Sequence, residues 1–487
     1  MAIRYHSTND HDESVGFREA LLNGIASQYG LYTVDREDLP LLRGGELADM
    51  RSMSYADIAF TLLNPFVTPD IEESAFSRLL ADAYDESIIP VDVQGVTDRI
   101  YLMWLSRGPT YSFKDFAARF FGRVLDYFLG RDDLKRIVVV ATSGDTGGAV
   151  AHALAGLDNV ANVVLFPKDA ISDRQRRQMT TLGKNIHAFA VNGDFDVCQE
   201  IAKSILGDRA FAGELFDDPE RFTSANSISL GRLLPQAVYP FYAFSRIDAD
   251  RFDASVPSGN FGDMMGTVIA KAMGLPVERI IIGVNENREF PEFLETGRYR
   301  VRPSAWSPST AMIVSHPSNL ARLIGLYGGH IYDQRDPRSG TVVKAGVIDR
   351  MPDLDAMRRD IYSVSVTNEE HYATIRDVYR RHGVILDPHG SVGWRALELY
   401  TNGEEPEIPT VVYETADPGK FPEDIERAIG ILPDTPPGIA EQANLEERVY
   451  VVDEEPLTGG DGSKRMSPAQ LDRVKRVIGD LFTAQGD

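Results

Sequence analysis

Lys114 lies in Gly108-Pro109-Thr110-Tyr111-Ser112-Phe113-Lys114-Asp115-Phe116, among small and aromatic residues and just before a helical stretch, Phe116 to Leu129. Most lysines are solvated surface charges, and that is the default for any single one. A lysine held in an apolar pocket instead gives up its proton readily, and its free amine forms a Schiff base with an aldehyde. Three other segments carry groups suited to an anion or a ring. Ala141-Thr142-Ser143-Gly144-Asp145-Thr146-Gly147-Gly148 follows an apolar run and opens the helix Ala149 to Leu154. Its glycines permit a tight turn, and the helix start offers free N–H groups at the positive end of the dipole. Thr142, Ser143 and Thr146 add hydroxyls. Val256-Pro257-Ser258-Gly259-Asn260-Phe261-Gly262-Asp263 repeats the arrangement before the helix Met264 to Met273, and Glu414-Thr415-Ala416-Asp417-Pro418 follows another apolar run. Pyridoxal phosphate needs an amine, a phosphate cup and a partner for its ring nitrogen. The chain offers a candidate for each.

Each turn taken alone says little, because many α/β proteins use glycine merely to leave a strand. No G-x-G-x-x-G occurs, and Gly183-Lys184 and Gly419-Lys420 lack the following Ser or Thr of a P-loop. Dinucleotide chemistry is therefore disfavoured. So is metal-dependent hydrolysis, since the nine histidines include no HExxH pair. Several glycine turns at strand ends, where open parallel sheets hold ligands, argue for binding.

These turns need strands to carry them. From about Tyr101, β-branched runs alternate with helical segments: Ile137 to Ala141, Ala161 to Phe166, Ile186 to Val191, Phe252 to Val256, Ile280 to Val284 and Thr410 to Glu414. Such continuous apolar strands predict parallel βαβ units and an α/β architecture. Residues 1–95 read as mostly helical, with amphipathic stretches at Val15 to Ala26 and Ile71 to Ala83. Residues 286–350, rich in Pro, Arg, Gly and Ser, predict an irregular insertion or lid. The segment from about 453 opens polar (Thr458 to Ser463) and ends in a peripheral amphipathic helix, Pro468 to Leu481.

The whole chain has 487 residues, 43% hydrophobic and 25% charged, as expected of a globular enzyme with two or three domains. Fifty Lys and Arg against 73 Asp and Glu give a net charge of −23, which disfavours nucleic acid and anionic membranes as partners. No apolar run approaches a membrane span, and the first residues hold no apolar signal region. Cys198 is the only cysteine, which excludes internal disulfides and suits a reducing, cytoplasmic setting. A small anionic ligand must be held by local dipoles and a few placed cations against the global field.

With those residues in view, the chain resembles the long form of the threonine synthase family. The match runs in order through Gly108 to Asp115, Ala141 to Gly147, Gln175 to Thr181, Gly193 to Gln199, Asn226-Ser227-Ile228-Ser229-Leu230-Gly231-Arg232, Val256 to Asp263, Ser309 to Met312, Leu386-Asp387-Pro388-His389 and Thr415 to Phe421, over about residues 15 to 430. The resemblance implies a tryptophan-synthase-β-like fold of type II, with two α/β domains and an N-terminal, mostly helical domain. Its boundaries would be 1–95 (N-terminal), 96–235 (smaller α/β, with the lysine motif), 236–450 (larger, cofactor-binding) and 451–487 (tail and helix).

By resemblance, Lys114 would carry pyridoxal 5'-phosphate covalently and act in catalysis. Gly259, Asn260, Phe261, Gly262 and Asp263 would cup its phosphate, Thr415 would face the ring nitrogen, and Asp145 would lie near the phenolic oxygen. Thr142, Ser143, Thr146, Asn226, Ser227 and Arg232 would receive the phosphate of O-phospho-L-homoserine, which water converts to L-threonine. No metal is implied, and the enzyme would be a monomer or homodimer. Arg232 could alternatively be a surface ion pair, and Asn226-Ser227 a helix cap. The family usually has His at position 107 and Ala at 112, where this chain has Arg107 and Ser112, and Gly148 stands where Ala is common. Arg107 either alters the charge preference near the lysine or pairs with a carboxylate. Rival readings are a phospholyase or β-replacement enzyme on a related phospho-amino acid, and a ligand-binding regulator that keeps the fold without catalysis.

Overall fold

Continuous apolar runs became buried strands in two parallel sheets of a computed structural model that describes residues 2–336, 342–459 and 464–483. Packing divides the chain into two units: residues 1–21, 25–117 and 227–434 form the first, and residues 22–24, 118–226 and 435–487 the second. Strands are numbered in chain order.

The first unit begins with a small antiparallel sheet of β1 (Tyr5–Ser7), β2 (Asp10–Val15) and β3 (Tyr32–Thr33), with β1 in the middle. This sheet stands at the start of a stretch that the sequence predicts to be mostly helical, and the first residues of that stretch are instead strands. β2 reads Asp-His-Asp-Glu-Ser-Val and shows no apolar alternation, so its pairing rests on backbone hydrogen bonds that side-chain patterns do not announce. Helices do follow at Phe17–Asn23, Tyr55–Val67 and Glu73–Ala83.

The main sheet of this unit holds β4 (Asp92–Gly95), β5 (Ile100–Trp104), β10 (Phe252–Pro257), β11 (Val277–Val284), β14 (Ile361–Ser365) and β15 (Thr410–Glu414), in the order β14-β11-β10-β15-β5-β4. Only the β4–β5 pair is antiparallel. β10 and β15 are buried at every residue, as strands covered on both faces must be. Leu102, Ile281, Val412, Trp394 and Leu397 form the core on one face. The described part of residues 286–350 is less irregular than composition suggested. They contain helices Glu289–Thr296 and Leu320–Leu326 and the antiparallel pair β12 (His330–Arg335) and β13 (Val342–Arg350). These strands are mostly half-buried or exposed, so they give no buried-strand signature.

The second unit is a five-stranded, all-parallel sheet. Its strands are β6 (Arg136–Ala141), β7 (Val160–Pro167), β8 (Ile186–Val191), β9 (Phe222–Ser224) and β16 (Val449–Val452), in the order β16-β8-β7-β6-β9. The final helix, Pro468–Thr483, is not peripheral. Val474 and Ile478 are fully buried with Val163, Leu165, Cys198 and Ile201 in one apolar cluster. Gly460 to Ser463, part of the polar segment noted above, lie outside the described residues.

Candidate active site

β5, β15 and β10 are neighbours, run parallel and deliver their carboxyl ends to one edge of the sheet. The three loops that follow carry Lys114, Thr415 and Gly259 to Asp263 respectively. The first two are laced together. Leu105 N–H donates to the Glu414 carbonyl (3.0 Å), Phe113 N–H to the Thr415 carbonyl (2.9 Å) and Asp417 N–H to the Tyr111 carbonyl (3.1 Å). Lys420 Nζ donates to the Thr110 carbonyl at 2.9 Å. Inside the loop, Asp115 accepts from Thr110 N–H (2.8 Å) and Thr110 Oγ1 (2.6 Å), while Tyr239 donates its hydroxyl to the Phe113 carbonyl at 3.1 Å. Lys114 thus starts the helix Lys114–Arg131 from a fixed base. It is half-buried, with its Nζ 4.4 Å from the centre of the Phe113 ring.

The loop after β10 forms a cup. Phe261 adopts a left-handed φ of 63°, turning the chain into the helix Gly262–Ala272 so that the first amides of that helix are left free of intrahelical partners. A side chain at Gly259 would come within 2.8 Å of Met312 Cα and 3.0 Å of the Ala311 carbonyl. Only a residue without Cβ allows segment 311–312 to close over the turn. Asn260 is anchored by its carbonyl, which accepts from Asn319 Nδ2 (3.1 Å) and Asn319 N–H (3.4 Å). Asp263 is buried and accepts from Met264 N–H at 2.9 Å. Burial pushes its carboxyl up to about 6, opposed by that N–H and by the positive charge of Lys114. A small amide-lined cup, a lysine in electrostatic reach of it and a buried hydroxyl at Thr415 on the neighbouring strand end fit pyridoxal phosphate.

Arg232, in the short helix Leu230–Leu233, is only 3% exposed, which rules out the surface ion pair. Burial lowers its guanidinium to about 10, with Tyr239 and Asp115 pulling the other way, so it stays charged at neutral pH. Ser227 lies in the preceding segment, which a second buried arginine holds. Arg322 donates to the carbonyls of Tyr32 (2.9 Å) and Ile228 (2.7 Å) and to Asn319 Oδ1 (2.6 Å). Burial draws its guanidinium down to about 9. One planar fork therefore ties the Ser227-Ile228 segment to Asn319 and, through it, to Asn260.

In the second unit, the turn after β6 brings together Thr142, Ser143, Asp145, Thr146 and Asn226. Thr142 Oγ1 accepts from Gly144 N–H (2.9 Å) and Gly147 N–H (2.8 Å), so this hydroxyl organises the turn itself. Gly144 has φ 135°, and a side chain there would overlap Gln175. Gln175 Nε2 in turn donates to Asp145 Oδ1 at 3.2 Å. Ser143 and Thr146 are half-buried. Asn226 Nδ2 donates to the Ala141 carbonyl at 3.4 Å, while its Oδ1 is buried with no hydrogen-bond partner among the described residues. The turn thus has an open polar group beside the start of the helix Asp145–Leu154.

Arg107, singled out from sequence, proves to be structurally engaged, as does His316. Arg107 pairs with Asp92 at 3.0 Å and lies over the Trp104 ring. His316 is held between the Tyr299 hydroxyl (2.8 Å) and Asp333 (3.1 Å). Sequence reasoning did not single out Arg322, Asn319 or Tyr239, and their residue types carried no signal of burial. The Leu386-Asp387-Pro388-His389 motif was visible, but its role was not. His389 Nδ1 makes a short bond to Asp387, and its Nε2 accepts from Ala311 N–H at 3.2 Å. Glu414 Oε1 accepts from Asp387 N–H at 2.7 Å. Burial, reinforced by Asp387, raises Glu414 well above the usual carboxyl range. A buried chain thus links the end of β15 to segment 311–312 at the cup.

Known proteins match this arrangement. The family described as pyridoxal-phosphate dependent enzyme matches residues 90–414. The threonine synthase N terminus and C-terminal families match residues 4–84 and 390–458. The threonine synthase of Pseudomonas aeruginosa is 35% identical over 468 residues, covering 93% of this chain and 96% of that one. That of Saccharomyces cerevisiae is 32% identical over 466 residues, covering 87% and 89%. A crystal structure of a PLP-bound threonine synthase from Brucella melitensis superposes with a TM-score of 0.84 at 30% identity, over 99% of each chain. The fold and the lysine-bearing sheet edge define a pyridoxal-phosphate-dependent enzyme of fold type II, the tryptophan-synthase-β-like class. Within that class, the chain belongs to the threonine synthase family.

Proposed function

We propose that the protein converts O-phospho-L-homoserine and water to L-threonine and phosphate, with Lys114 as its catalytic residue. The observation that carries this reading is the buried, charged Arg232 held in the same unit as Lys114 and the amide cup. A chain of charge −23 needs such a cation to retain a phosphorylated amino acid. Pyridoxal phosphate, when bound, supplies an electrophilic carbon for the substrate amine and a ring that accepts the electron pair freed at Cα.

The chain's own residues do the rest. Amides of Gly259, Asn260, Phe261, Gly262 and Asp263 hold the coenzyme phosphate. Thr415 offers a neutral hydroxyl to the ring nitrogen, which, unlike a carboxylate, does not fix a proton there. Asp145 is assigned to the phenolic oxygen. Lys114 Nζ takes the proton from substrate Cα. Proton loss at Cβ then lets phosphate leave Cγ, a proton returns at Cγ, water adds at Cβ, and a proton returns to Cα before L-threonine is released. Ser227 and Arg232 are proposed partners of the substrate phosphate, and the family resemblance gives the polar turn of Thr142, Ser143, Thr146 and Asn226 the same role. Thr142 keeps its proton available for such a bond, because both contacts at its oxygen are accepted ones.

Among the described residues no helix is long and apolar enough to cross a membrane. We place the enzyme in the cytoplasm, as monomer or homodimer, a reading supported by its single buried cysteine. The deciding experiment supplies O-phospho-L-homoserine and identifies both products. Threonine plus phosphate is expected, whereas 2-oxobutyrate plus ammonia would make the protein a phospholyase.

A further inference from the structure

Far in sequence from the lysine, three potential metal ligands converge on the small sheet at the start of the chain. His6 lies on the central strand β1, His11 on β2, and Asp35 two residues beyond β3. One ligand atom from each lies within 4.8 Å of the others. The rings of His6 and His11 are 4.5 Å apart at 31°.

The hydrogen bonds of His6 make this more than proximity. His6 Nδ1 lies 3.1 Å from the Ser7 carbonyl, an atom that can only accept, so Nδ1 carries a proton. In a neutral imidazole, Nε2 is then a bare lone pair. It faces Asp35 Oδ1, another acceptor, at 3.2 Å. Two acceptors aimed at each other repel unless a cation lies between them, either a proton or a metal ion. The spacing suits a metal, because ligands with bonds of about 2.0–2.1 Å in a tetrahedron stand about 3.3 Å apart. The Nδ1–carbonyl bond is also the outer contact that orients most metal-binding histidines.

We infer that His6, His11 and Asp35 form a binding site for a divalent transition-metal ion of the zinc type. Two imidazoles and one carboxylate suit such an ion better than calcium or magnesium, which prefer oxygen ligands. Three protein ligands leave one position for water. His6 is 9% exposed, whereas His11 and Asp35 are open to solvent, so the ion can enter. Two neighbouring acids on β2 are engaged elsewhere: Asp10 accepts from Ser27 Oγ and Asp12 N–H, and Glu13 from Ser27 N–H and the Tyr32 hydroxyl. A bound ion would pin β1, β2 and the segment after β3 together, stabilising a sheet that side-chain patterning barely specifies.

The test is isothermal titration of the coenzyme-loaded enzyme with zinc chloride in a non-chelating buffer, for wild type, His11→Ala and Asp35→Asn. Both altered residues are exposed, so these variants keep the fold, and neither residue belongs to the proposed catalytic machinery. One equivalent of zinc should bind the wild type, and each variant should lose at least about tenfold in affinity. Absence of saturable uptake, or isotherms that coincide for wild type and His11→Ala, would overturn the assignment. The cluster would then be a hydrogen-bonded pair of His6 and Asp35 with no ion.

Discussion

Arg232 stays cationic although buried, because the fall to about 10 still leaves it far above neutral pH. Its removal therefore costs binding, not charge compensation alone. Arg232→Ala should raise KM for O-phospho-L-homoserine by about 10-fold to 150-fold, equivalent to about 1.5–3 kcal/mol for a charged hydrogen bond. The coenzyme absorption should remain, since Arg232 is assigned to the substrate phosphate and not to that of the coenzyme. Loss of coenzyme with KM unchanged would show that Arg232 serves the cofactor instead. A different residue sets a pH dependence of stability. Burial raises Asp253 to about 6, only partly opposed by Arg279 N–H, which donates to it at 2.9 Å. Because the folded-state value exceeds the unfolded one, the native state binds the proton more tightly. Stability therefore falls as pH rises from about 4 to 6, and the penalty stands in full above 6. Asp253→Asn keeps an acceptor for Arg279 and should stabilise the protein at pH 7.5 by roughly 1–3 kcal/mol, with little effect at pH 4, as read by urea denaturation.

At the scale of elements, the site depends on loops held by other loops. Segment 311–312 closes on Gly259 and is itself held by His389, whose partner Asp387 bonds Glu414. Gly259→Ala would drive a methyl into backbone at both Met312 and Ala311. Coenzyme affinity should drop at least about tenfold, with far-UV circular dichroism unchanged; unaltered affinity would mean the cup is not formed by this turn. The strand-turn-helix segments were legible in sequence because a strand buried on both faces must be apolar throughout, and glycines mark its exit. Thr415 and the 259–263 turn were picked out that way, whereas Lys114 was picked out by its small and aromatic neighbours. The antiparallel sheet at residues 5–33 was not, because Asp10 to Ser14 are polar and show no apolar alternation. Arg322 and Asn319 looked like ordinary surface residues. Only the folded chain shows them buried and clamping Ser227 and Asn260.

On the scale of the molecule, the charge of −23 opposes an anionic substrate at long range, while buried Arg232 and helix-end amides act at short range. Salt screens the first more than the second, the Debye length shrinking from about 30 Å at 0.01 M to about 8 Å at 0.15 M. Raising a non-phosphate salt across that range should leave kcat/KM unchanged or increase it. A steep fall would mean that exposed cations steer the substrate. All of this presumes that one amine, at residue 114, holds the coenzyme. Borohydride reduction of the yellow enzyme, followed by peptide mass spectrometry, tests that directly. A pyridoxyl group on Lys114, absent from Lys114→Ala together with turnover, is the predicted result. A modified lysine elsewhere, with Lys114 untouched, would contradict it.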